Sequence, residues 1–279
     1  MNTNIDDVKV TEFLYKKAGG AVSAELKLLV YSPKNFTPPE SGKGNDAGKT
    51  AVIFFFGGGW MNGSPKQFIP QSIYLVSKGY IAITPEYRIQ SLHKTTPIDS
   101  VADAKDAVLW VRDHALELGV NPNRILVGGG SAGGHIAACT ALLKQDEIDG
   151  REIYKIPKGL ILFNPVLDTT EDGLSHLSSL LNNPEFGKFF KSSGIKISPL
   201  HHIRAGLPPT VIFNGEADTT TLPRIARDFQ EKMKSDGNNC AVHFYPGENH
   251  GFFNIRDKGD ANCLDSIQKA EKFISEIKF

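Results

Sequence analysis

The stretch that decides the fold is RILVGGGSAGGHIAACTALLK, Arg124 to Lys144. It opens as a short apolar run ending in glycines, and the residues after Ser131 have the apolar content of a buried helix. A strand that turns within a few residues into a helix is the building unit of a parallel sheet. Within it, Gly129-Gly130-Ser131-Ala132-Gly133 is a G-x-S-x-G. In a chain with 27 glycines that string alone is weak. Its place between a predicted strand and a predicted helix is the discriminating part, because a nucleophile elbow must sit there. The turn is sharp, side chains two positions either side of the serine would collide, and Gly129 and Gly133 meet that steric demand. The turn pushes the Ser131 hydroxyl past the strand end, at the positive end of a helix. The other reading is a Gly-rich turn that binds phosphate. A G-x-G-x-x-G runs through Gly128, Gly130 and Gly133, but it lies mid-chain, and no acidic residue follows at a second strand end about 20 residues later.

Outward from this unit the pattern repeats. Apolar runs predict strands at Thr50–Gly58, Tyr80–Arg88, Lys158–Val166, Pro208–Asp218 and Cys240–Gly247. Helical spacing predicts helices at Lys66–Lys78, Ile98–Gly119, Leu222–Gly237 and Ala261–Ile277. The strands are continuous apolar runs without alternation, the mark of a parallel sheet covered on both faces. Ahead of them, Lys9–Lys17 and Ala24–Pro33 flank Ala18–Ser23 as an antiparallel hairpin, and Asn35–Lys49 is a polar, Pro- and Gly-rich surface loop. The expected fold is α/β, with a mostly parallel central sheet of about eight strands and helices on both faces. One domain is expected over 1–279. Leu167–Leu207, too long for an ordinary connection and carrying helix-like pieces, is expected to form a small lid.

Composition narrows the function classes. The chain has 279 residues, 40% of them hydrophobic, enough for a substantial core. Lys plus Arg number 31 and Asp plus Glu 31, so no basic field is available for nucleic acid or an anionic membrane. No apolar run approaches the roughly 18 residues of a spanning helix. The start, MNTNIDDVKV, lacks the features of a signal peptide, as expected for a cytoplasmic protein and equally for a secreted one whose leader has been removed. Cys139, Cys240 and Cys263 match no metal spacing and read as free, mostly buried thiols.

A serine hydroxyl needs a base within hydrogen-bond reach and an acid to orient that base. His250 follows the last predicted strand, at the sheet edge where all parallel strands end, and is the expected base. His243 lies inside that strand and is expected to pack. His201 and His202 lie at the end of the lid and His135 on the elbow helix, facing away from Ser131. For the acid, Asp218 terminates the strand before that of the histidine, with Asp168 at the previous strand end as runner-up and Glu216 read as structural. The resulting chain order is Ser, Asp, His.

Acyl transfer places negative charge on the former carbonyl oxygen, which needs preorganised donors. FFFGGGW, Phe54–Trp60, runs from an apolar strand straight into bare glycines beside the elbow. Without Cβ atoms their N–H groups can face an oxyanion. Gly58 and Gly59 are the expected donors, with the N–H of Ala132 as the third. Trp60 is read either as a wall of the acyl pocket or as packing beneath the lid.

With these pieces in place the chain resembles an α/β-hydrolase, an esterase of the hormone-sensitive-lipase-like group or its neighbouring acetyl (xylan) esterase families. The resemblance rests on GGGW, PEYR, DAKDAVLWV, GGSAGGHIA, NGEAD and NHGF, which span nearly the whole chain after Lys49. It implies a serine hydrolase acting on carboxylic esters with no metal and no cofactor. Two departures stand out. Phe56 occupies the position where the lipase-like group commonly has histidine, and the N-terminal part reads as a hairpin where that group has a long helical cap. The more open site so implied suits esters carried on large molecules, including acetylated plant-type oligosaccharides. The rival readings are a serine peptidase of the prolyl-oligopeptidase type, which would normally carry a propeller domain, and a catalytically silent fold that binds a ligand.

Overall fold

The computed structural model describes residues 5–39, 48–144, 153–255 and 261–279. Part of the polar loop expected at Asn35–Lys49, residues 40–47, lies outside the described residues. Eight strands form one sheet: β1 (Val8–Ala18), β2 (Ala24–Pro33), β3 (Lys49–Phe55), β4 (Ile81–Pro85), β5 (Val120–Gly130), β6 (Leu160–Phe163), β7 (Thr210–Gly215) and β8 (Cys240–Tyr245). Their order is β1-β2-β4-β3-β5-β6-β7-β8. β1 pairs antiparallel with β2, and β2 with β4; every later pairing is parallel. The helices are α1 (Ile69–Ser77), α2 (Gln90–His93), α3 (Pro97–Asp113), α4 (Ala115–Leu118), α5 (Ala132–Leu142), α6 (Ser178–Leu181), α7 (Pro184–Ser193), α8 (Pro223–Ser235) and α9 (Ala261–Glu276). Among the described residues no helix is long and apolar enough to cross a membrane.

The apolar runs have a direct packing cause. In β3, Ala51, Ile53 and Phe55 face a core shared with α3, α5 and α8, while Val52 and Phe54 face one shared with α1 and α9. A strand with helices on both sides buries every side chain, so the alternation of a half-exposed strand disappears. Ala51 to Phe55 are all fully buried.

The helix expected over Ile98–Gly119 begins on time: Pro97 opens it, and the Asp99 carboxylate accepts from the N–H of Thr96 at 3.0 Å. It breaks at His114, whose φ/ψ of −103/17 separates α3 from α4. The His114 ring stacks on Trp110 at 3.9 Å, and its Nδ1 bonds the Trp110 carbonyl at 2.9 Å.

One buried ion cluster ties the segment after β4 to α3. The Arg88 guanidinium donates to both oxygens of Asp103 at 2.8 and 2.9 Å, and the Arg88 N–H adds a third bond at 2.9 Å. Lys16 of β1 reaches the same carboxylate at 2.5 Å. Asp103 is fully buried and Arg88 nearly so. Removing one member of such a set leaves an uncompensated buried charge, which costs about 3–5 kcal/mol. Asp103→Ala is therefore expected to lower unfolding free energy by roughly that amount, read from urea denaturation. A loss under about 1 kcal/mol would show that the cluster is not a structural tie.

Candidate active site

The sheet order dictates which loops meet. β3 lies between β4 and β5, so the loop after Phe55 emerges beside the elbow after Gly130, and the ends of β6, β7 and β8 follow along the same edge. Ser131 is the turn residue, at φ 54 and ψ −122, a conformation that strains any residue with a side chain. A Cβ on Gly129 would come within 2.5 Å of the Gly133 carbonyl oxygen, and one on Gly133 would strike the carbonyls of Phe55 and Phe56. The elbow glycines are thus required by close backbone approach on both sides.

The structure brings Ser131, His250 and Asp218 together. Ser131 Oγ lies 2.9 Å from His250 Nε2, and His250 Nδ1 lies 2.8 Å from Asp218 Oδ2. A carboxylate only accepts, so Nδ1 carries the proton and Nε2 is left to accept from the serine hydroxyl. The His250 side chain is 27% exposed and that of Asp218 is fully buried. Asp168, the runner-up acid, instead accepts from Thr170 and Ser198, while Glu216 pairs with Arg227 at the surface. His201 bonds Ser198, and His243 stacks on Phe213.

Three further partners hold Asp218. Asn164 Nδ2 donates to Oδ2 at 2.6 Å, as does Thr221 Oγ1 at 2.7 Å, while the N–H groups of Thr220 and Thr221 donate to Oδ1 at 2.8 and 2.9 Å. Burial alone would raise the carboxyl pKa. The hydrogen bond and charge of His250, helped by Thr221, reverse this and hold it below its ordinary value. Asn164 was not singled out by the sequence reading. It is buried, at φ 41, directly after β6, and an asparagine at a strand end on the functional edge was the only signal available.

The glycine loop sits against the elbow: a Cβ on Gly57 would lie 3.2 Å from the Ser131 Cβ and 2.9 Å from the Gly130 oxygen. The Gly57 N–H is taken by Gln67 Oε1 at 2.6 Å. Among the described residues the N–H groups of Gly58 and Gly59 have no backbone or side-chain acceptor, and that of Ala132, first in α5, has none within its helix. These are the three groups expected as oxyanion donors. Phe56, at the usual histidine position, stacks on Tyr87 at 4.1 Å.

Trp60 takes the packed of its two expected places. It is 1% exposed, lies 5.6 Å from Phe190 of α7, and donates Nε1–H to His135 Nδ1 at 3.3 Å. The ring is covered by the insertion between β6 and β7 and fills space there. His135 in turn donates Nε2–H to the Ile197 carbonyl at 2.8 Å, and its burial pushes its pKa down to about 4, so it stays neutral. It faces away from Ser131 and joins the glycine loop, α5 and the insertion. All three cysteines are buried. Among the described residues no group of three or more His, Cys, Asp or Glu is arranged to hold a metal ion. A cavity of about 1260 Å³ opens at the opposite ends of the strands, lined by Asn123, Pro209 and Asn239, away from this chemistry.

Residues 39–233 match the BD-FAE family model. The probable carboxylic ester hydrolase LipM of Mycobacterium tuberculosis is 28% identical over 242 residues, covering 82% of this chain and 55% of its own. The acetylxylan esterase of Xylanibacter ruminicola is 27% identical over 218 residues, covering 75% and 42%. The chain thus spans about half the length of the curated relatives it matches. A solved structure of the thermophilic esterase Est2 of Thermogutta terrifontis with propionate bound is 38% identical, with a TM-score of 0.82 over 99% of this chain and 96% of that one.

Proposed function

Since the chain belongs to the BD-FAE family and has the α/β-hydrolase fold, we propose that it is a serine carboxylic ester hydrolase. His250 takes the Ser131 proton as Oγ attacks the ester carbonyl. Gly58, Gly59 and Ala132 hold the oxyanion, and the alcohol leaves with the proton from His250. Water then repeats the sequence on the acyl-enzyme, with Asp218 orienting His250 throughout. The reading is carried by one observation: a hydroxyl, an imidazole and a buried carboxylate in hydrogen-bonded line, beside amide donors that the described residues leave without an acceptor.

The acyl group we propose is short, with acetyl preferred, and the alcohol a small or carbohydrate one. Trp60, Phe186 and Phe190 fill the space beneath the insertion, which we read as the lid, and a long acyl chain would have to displace that block. The propionate held by Est2 and the acetylxylan substrate named for the Xylanibacter relative support the same choice. The p-nitrophenyl esters of acetate, butyrate and octanoate give the test. The expected result is kcat/KM for acetate at least ~10-fold above that for octanoate, a single methylene being a matter of roughly 1–3 kcal/mol in a shaped pocket. A clear preference for octanoate overturns the short-acyl reading. Labelling of Ser131 by a fluorophosphonate tests the reaction class itself, since only an activated serine reacts.

A further inference from the structure

An oxyanion hole works only if its donors are aimed before the charge appears. Here two of the three donors, the N–H groups of Gly58 and Gly59, belong to a run of three glycines, the backbone least able to hold itself in place. Gly58 and Gly59 have φ of +122 and +62, so neither gains rigidity from its own side chain or from a regular helix or strand. The fixing must come from hydrogen bonds made by other residues.

Three successive peptide planes show where it comes from. In the first, the Phe56 carbonyl accepts from Tyr87 Oη–H at 2.6 Å, and the N–H of the same plane, on Gly57, donates to Gln67 Oε1 at 2.6 Å. In the third, the Gly58 carbonyl accepts from the N–H groups of Met61 and Asn62 at 3.1 and 3.0 Å, which fixes the plane carrying the Gly59 N–H. The middle plane carries the Gly58 N–H and is bracketed by the two fixed ones. The fixed planes set the two Cα ends of the middle one, and its own carbonyl oxygen, on Gly57, lies against Gly63 at the place a Cβ there would occupy, which opposes its turning over.

Both side chains that hold the first plane are anchored. Tyr87 is 2% exposed and stacked on Phe56, and the adjacent residue Arg88 is tied to Asp103. Gln67 stands beside Phe68, which is fully buried and stacked on Phe54 and Phe253. By taking the Gly57 N–H, Gln67 also removes it from competition for the oxyanion, leaving Gly58 as the first donor of the loop.

We propose that Gln67 and Tyr87 are positioning residues of the oxyanion hole, clamping one peptide plane by its N–H and its C=O so that the Gly58 N–H points at the oxyanion. The inference rests on the esterase reading above. Gln67→Met keeps the length of the side chain and removes the acceptor; Tyr87→Phe keeps the stacked ring and removes the donor. Each is expected to lower kcat on p-nitrophenyl acetate by about 10- to 100-fold, because small misplacements at a reacting centre have effects of that order, with KM changed less than threefold. The Ki of a trifluoromethyl ketone, whose hemiketal oxygen occupies the hole, is expected to rise by the same factor as kcat falls. A purely structural role would leave that Ki unchanged in folded enzyme. Wild-type kcat in both variants, or a fall in kcat with unchanged Ki, overturns the clamp. Fluorophosphonate labelling of Ser131 in the wild type separates the two levels: with no labelling it is the esterase reading that fails, whereas labelling with wild-type kcat in both variants refutes the clamp alone.

Discussion

Replacing Ser131 with alanine is expected to lower kcat on p-nitrophenyl acetate by about 10⁴- to 10⁶-fold, the range seen when the nucleophile of a serine triad is removed. Fold and stability should barely change. The alanine keeps the strained backbone at φ 54 and ψ −122 and loses only a hydroxyl that faces His250. Ser131→Gly gives an internal control: it removes the same nucleophile but relieves backbone strain of order 1–3 kcal/mol, so it should melt above the alanine variant. If Ser131→Ala retained wild-type turnover, the assignment of the nucleophile would be wrong, whatever its geometry. If the glycine variant melted below the alanine variant, the elbow would not be storing strain.

The second large effect is at Asp218. Both carboxylate oxygens accept only: Oδ2 from His250, Asn164 and Thr221 Oγ1, Oδ1 from the N–H groups of Thr220 and Thr221. Asp218→Asn must turn an NH₂ toward one of these sets, so a donor meets donors in a buried site. Two consequences are expected. Activity should fall by about 10⁴-fold, because His250 loses the partner that keeps the proton on Nδ1. Stability should fall by roughly 2–4 kcal/mol at neutral pH, the scale of buried donors left unpaired once a charged acceptor is lost.

The pH dependence has a definite sign. The Asp218 pKa is depressed in the folded protein, so its contribution is complete above the ordinary carboxylate pKa near 4 and is lost as pH falls through the lower folded value. The stability gap between wild type and Asp218→Asn should therefore shrink as the pH falls below about 4. Thermal denaturation across that range reads it directly. A gap that stays constant or widens in acid would mean that the carboxylate is not held ionised by its partners.

What was legible in the sequence follows from local physics. The continuous apolar runs identify strands covered on both faces, and parallel strands deliver all their C-terminal loops to one edge. That is why Ser131, Asp218 and His250 could be picked from residues up to 119 positions apart. Other features had no local mark. Nothing in the Ile98–Gly119 run signals the break at His114, whose ring lies stacked on Trp110. Trp60 had two places open to it, and the choice fell to His135 and to Phe190 across the insertion.

Short stretches of chain are enough for the strand–turn–helix unit, the Ser, Asp, His order along the strand ends and the glycines where backbone must approach backbone, since each is set by periodicity or by the missing Cβ within a few residues. The side chains that complete the site come from packing between distant segments: Asn164 and Thr221 on Asp218, Gln67 and Tyr87 on the glycine loop, Trp60 beneath the insertion. The physical reason is directional. A hydrogen bond between segments needs a donor and an acceptor within about 3 Å and correctly aimed, and that depends on sheet register and on how the insertion packs, neither of which is written in any one stretch of the chain.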